Sequence, residues 1–128
     1  MNKIILTRQL EPYPYKLILV TDRTLWQCVR KKVSPKDQPY DTESAHGVTH
    51  AGNGTFVVGV FNGELSTLLH ELAHVMVYVF TEIGAPINQD TSEPFAYLLH
   101  TTFMACRNAL NDQASRQRQN RPKARRRK

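Results

Sequence analysis

His70 and His74, with Glu71 between them, belong to the stretch Leu68 to Val75, read as Leu-Leu-His-Glu-Leu-Ala-His-Val. On a helix, residues four apart lie one turn apart on the same face. The two imidazoles can therefore grip one zinc ion from one side. Glu71 then lies beside the place where a water on that ion would sit. Burying two histidines and a glutamate among Leu, Val and Met is costly unless they gain a partner. A metal is the partner that this His-Glu-x-x-His pattern suits.

A catalytic zinc uses three protein ligands and keeps one position open to water. Glu93 is the downstream candidate. Eighteen residues separate it from His74, enough for one helix to end, turn and present the start of the next. Tyr97 and His100 lie four and seven residues beyond Glu93, so on a helix they share its face.

These residues resemble the gluzincin metallopeptidases, particularly their aminopeptidase branch. There the third ligand sits in an Asn-Glu-Gly-Phe-Ala segment; the matching stretch here is Ser92-Glu93-Pro94-Phe95-Ala96. The resemblance spans residues 44–110. It implies zinc held by His70, His74 and Glu93, with Glu71 as general base in peptide-bond hydrolysis. It also implies a residue that stabilises the oxyanion, for which Tyr97 and His100 are candidates. Tyr97 can equally orient a zinc-binding histidine from behind. The strand before the motif helix, Thr55 to Phe61, sits where such enzymes carry the edge strand that pairs with an extended substrate. Two features depart from the family. Pro94 replaces the glycine after the third ligand, and no motif for a substrate's free amino terminus is present. In size and basic tail the chain also resembles small single-domain metallopeptidases common in bacteriophage genomes.

The elements needed to position these residues can be read from patterning. Ile4 to Thr7 reads as a short first strand or an ordered arm, and Tyr15 to Thr21 as a central strand, nearly continuous in apolar residues. Asp22 suits the N-cap of a helix over Arg23 to Val33. Ser44 to His50 reads as a strand with His46, Val48 and His50 on one face, where the histidines are candidates for lining substrate or a second metal. Ala51-Gly52-Asn53-Gly54 is a hairpin turn before the strand Thr55 to Phe61. The motif helix runs from about Glu64 to Glu82, apolar most of the way round and so expected to be buried, with Asn62 as its cap and Gly84 as its stop. Ser92 is expected to cap a third helix, with Pro94 in its first turn and fraying at Asn111-Asp112. The fold expected is α+β. It is a minimal zincin-like domain over residues 1–112, a small mixed sheet packed by the buried motif helix and two others.

Composition bounds the rest. The chain has 128 residues, one domain's worth. No stretch reaches the roughly 18 apolar residues of a membrane span, and the segment Met1 to Arg8 is too short and too soon charged for a signal peptide. Cys28 and Cys106 read as small core residues in a reducing compartment. A cytoplasmic location is therefore expected, including the cytoplasm of a phage-infected cell. The net charge of +6 is unevenly held: residues 115–128 carry eight Lys/Arg and no acid, and the remaining residues nine basic and eleven acidic side chains. Residues 113–128 are thus expected to form a disordered basic tail suited to non-specific contact with nucleic-acid phosphates through residues 115–128. The partner expected at the metal is a protein or peptide substrate. The alternative is a non-catalytic, zinc-stabilised binding or assembly protein acting through its tail.

Overall fold

In the computed structural model, which describes residues 3–38 and 41–120, the chain builds a four-stranded mixed sheet and three α-helices. The elements are β1 (Leu6–Gln9), β2 (Lys16–Val20), α1 (Arg23–Val33), β3 (Gly47–Gly52), β4 (Thr55–Val60), α2 (Leu65–Glu82), a 3₁₀ turn (Gln89–Thr91) and α3 (Ser92–Gln119). The sheet order is β1-β2-β4-β3. β2 runs parallel to β4, and the outer pairs are antiparallel. The fold is α+β.

The apolar run of β2 is explained by burial on both faces. Leu17 and Leu19, with Phe56, Val58 and Val60 of β4, pack toward α2 and α3. Ile18, Val20 and Val57 pack toward Trp26 and Val29 of α1. Asp22 caps α1 by accepting the Leu25 amide at 2.7 Å, and the Trp26 indole donates to the Val57 carbonyl at 3.0 Å. The β3–β4 turn needs left-handed backbone at Asn53 (φ 50°) and Gly54 (φ 71°), the two-residue geometry that Asn-Gly favours. Helix α2 ends in a Schellman motif: the Gly84 amide donates to Thr81 and the Ala85 amide to Phe80, with Gly84 at φ 71°.

Five expectations are corrected. The edge strand beside α2 is β3, because β4 lies between β2 and β3; Thr55–Phe61 cannot offer a free edge. Helix α2 is buried on one face only. Leu68, Glu71, Leu72, Val75, Met76, Val79 and Phe80 point inward, whereas Leu69, Val77 and Tyr78 are exposed. The sheet and α3 cover one side, and the apolar residues on the other stand beside His70 and His74. Neither Asn62 nor Ser92 is an N-cap. The Asn62 side chain does accept the Glu64 amide at 3.1 Å, but Glu64 and Thr91 occupy the cap positions. Helix α3 does not fray at Asn111-Asp112 but continues to Gln119. Straight-chain Gln and Arg are good helix formers, and Gln113 anchors this stretch through reciprocal bonds with the Thr21 hydroxyl. The basic segment is therefore helical as far as Gln119, and residues 121–128 lie outside the described residues. Finally, Cys106 is buried but Cys28 is exposed on α1.

Candidate metal centre

Strand β3 is laid against α2 by its small residues. At Gly47 a Cβ would stand 2.6 Å from the Thr67 methyl and 3.1 Å from Glu71 Cγ, so glycine is what permits the approach. Two residues on, Thr49 faces the same helix. Its hydroxyl lies 2.8 Å from Glu71 Oε1 and 3.4 Å from the Glu71 backbone carbonyl. Glu71 is 6% exposed, so this contact satisfies one oxygen of a nearly buried carboxylate. Its other oxygen, Oε2, lies 3.9 Å from His70 Nε2.

The His70 and His74 Nε2 atoms are 3.2 Å apart, with their rings nearly perpendicular and 4.9 Å between centroids. Two imidazole nitrogens bound to one tetrahedral zinc at 2.0–2.1 Å would stand about 3.3 Å apart. The pair thus fits two positions of a zinc shell. It opens to solvent, with His70 side-chain exposure at 68%, and it sits at one end of a cleft of about 640 Å³. β3 forms one wall of this cleft. Helix α2 forms the other, through His70, Glu71, His74, Val77, Tyr78 and Glu82.

The remaining expected residues lie elsewhere. Glu93, Tyr97 and His100 are exposed on α3, whose buried stripe is Leu98, Thr102, Cys106 and Leu110. None of the three lines the cleft. Tyr97 instead borders a second cavity with Thr7 to Glu11, Thr101 and Thr102. Among the described residues, no three His, Cys, Asp or Glu side chains come together as a metal-holding group. His70, Glu71 and His74 are brought together; Glu93 is not brought to them.

Nor do the β3 histidines join the cleft. Val48 packs in the cluster of α1, so the alternation of β3 sends His50 to that same face. There His50 is 2% exposed. Its Nε2 is 2.9 Å from Ser34 Oγ and 3.7 Å from Asp37 Oδ2. His50 is a buried tie between α1 and the sheet, not a lining residue. His46 is exposed and does not line the cleft.

Sequence reasoning missed Thr49, Gly47 and the aromatic residues of the cleft. The signal for the first two was the alternation of Gly47, Thr49 and Ala51 on the face opposite the histidines. Reading it required knowing that β3, not β4, borders α2. Comparison of the chain with protein families, curated proteins and solved structures finds no match.

Proposed function

We propose that the protein is a zinc-dependent hydrolase of peptide bonds, acting on an extended segment held along β3. The observation that carries this reading is the grouping of His70 Nε2, His74 Nε2 and the Glu71 carboxylate at one end of an open cleft. His70 and His74 would hold the zinc. When bound, zinc lowers the pKa of water to about 7 and polarises the substrate carbonyl.

Glu71 is the general base. Thr49 occupies Oε1, which leaves Oε2, on the side of the histidines, to take the proton from the attacking water and deliver it to the leaving amine. Strand β3 pairs with β4, and its outer edge can accept the backbone of an extended peptide. Glu93, the third ligand its spacing suggests, stands exposed on α3 and does not line the cleft, so the reading rests on the two histidines and Glu71. Tyr97 and His100 lie on α3 outside the cleft as well, and the oxyanion role is given to neither.

Metal analysis of the purified chain should find one zinc, lost in His70→Ala and His74→Ala. Glu71→Gln should keep the zinc and abolish cleavage of an unstructured protein. With Glu93 outside the cleft, Glu93→Gln should leave zinc affinity unchanged; a loss with the fold intact would bring Glu93 into the centre. A zinc-stabilised binding protein does not need a carboxylate beside the ion's water. Zinc retained by a wild-type chain that cleaves nothing would decide for that alternative.

A further inference from the structure

The cleft does not end at the histidines. Beyond Val77 it reaches Tyr78 and Glu82, and these two residues also line an adjoining cavity of about 200 Å³ with Tyr15, Phe56 and the β3–β4 turn. Three aromatic rings meet there. Tyr15 and Phe56 lie 5.8 Å apart between centroids, and Phe56 and Tyr78 meet edge to face at 5.3 Å. Glu82 lies one turn beyond Tyr78 on α2. Burial first, and then the Glu82 charge, hold the Tyr78 hydroxyl above its ordinary range, so it remains a donor at neutral pH. Among the described residues no Lys or Arg lines either cavity, so a carboxylate stands at the end of an aromatic recess without a lining cation.

We propose that Tyr15, Tyr78 and Glu82, standing over the buried Phe56 ring, form a subsite for the cationic side chain of a lysine or arginine in the bound peptide. This inference rests on the reading of the cleft as a peptide site and adds the class of peptide it takes. Aromatic faces attract a cation through their quadrupole, and a carboxylate supplies the charge-assisted bond. An acidic peptide would meet Glu82 and Glu71 in the same cleft and be repelled. Glu82 follows His74 by eight residues, about 12 Å along the helix. An extended chain covers that distance in roughly four residues. The cation is therefore read about four residues from the bond held at the histidines.

The test uses the full chain carrying Glu71→Gln, loaded with zinc, and fluorescence anisotropy with capped peptides of Ala, Ser and one Phe. One position, moved along the peptide, is Lys, norleucine or Glu. Lysine should bind about tenfold more tightly than norleucine at one position. Glu82→Gln should erase that advantage, and Glu82→Lys should transfer it to the Glu peptide. Equal binding of lysine and norleucine everywhere overturns the subsite, as does an advantage that survives Glu82→Gln. Glu82 is exposed, and circular dichroism of the variants checks the fold. Cleavage of the lysine peptide by the wild-type chain is followed in parallel. Cleavage without a lysine preference overturns the subsite alone. A Glu82-dependent preference without cleavage supports the subsite and overturns hydrolysis.

Discussion

Single contacts around Glu71 set what its carboxylate can do. Thr49 holds one oxygen at 2.8 Å, so the other is the one free to exchange a proton. Thr49→Val keeps the shape and removes the hydroxyl. It should cost about 1 kcal/mol in chemical denaturation, because a nearly buried acceptor loses its partner, and slow hydrolysis about tenfold. A variant with wild-type rate would show that Glu71 does not depend on this tie. His50 gives a separate, pH-linked prediction. Burial lowers its pKa, Asp37 opposes that shift and Arg30 adds to it. The folded state therefore resists a proton that the unfolded chain accepts at about 6.5. Stability should be level with respect to this group above pH 6.5 and should fall as the pH drops through the lowered value. Urea midpoints from pH 8 to pH 5 measure it, and His50→Gln should flatten that part of the curve.

The register between β3 and α2 is the element-scale requirement, and Gly47 enforces it. Gly47→Ala places a methyl within 2.9 Å of the Gly59 carbonyl as well as against Thr67. Strand and helix must then part, at about 1–3 kcal/mol, and Thr49 is drawn off Glu71. Both the thermal midpoint and the peptide-cleavage rate should fall; loss of stability with an unchanged rate would separate the site from this register. The same scale explains what could be read beforehand. Helix α1, with its Asp22 cap, and the Asn53-Gly54 turn are written locally and came out as read. Four-residue spacing likewise brings His70 and His74 within 3.2 Å of each other, but the pair is exposed, not buried as expected. The edge strand was not legible. Whether β4 or β3 is outermost depends on β2 and β4 pairing in parallel across α1, a contact between segments far apart in the chain. Glu93 raises the same difficulty: its spacing is a count along the chain, but its direction depends on which stripe of α3 meets α2. Leu98, Thr102 and Cys106 take that contact, and Glu93 is turned outward.

At the scale of the whole molecule, the cleft and the basic segment have opposite charge. Among the described residues the cleft is lined by Glu71 and Glu82 without Lys or Arg, whereas residues 115–128 hold eight Lys/Arg and no acid. Helix α3 carries Arg116 and Arg118 in its last turn, and six more cations follow, at 121, 123 and 125–128. Deleting residues 120–128 removes those six and no acid, which takes the formal net charge from +6 to zero. If the segment contacts duplex DNA through phosphates, each cation engaged contributes roughly 0.9 to the slope of log affinity against log salt. The deletion should then lower the slope by up to about five and weaken binding most at low salt, without altering sequence preference. If the lysine peptide is cleaved as proposed, that cleavage should be unchanged, since the cleft is lined by β3, β4 and α2. A deletion that leaves the salt slope intact would move DNA contact to the globular part. One that raises the rate on the lysine peptide would instead indicate that the basic segment competes for the Glu82 recess.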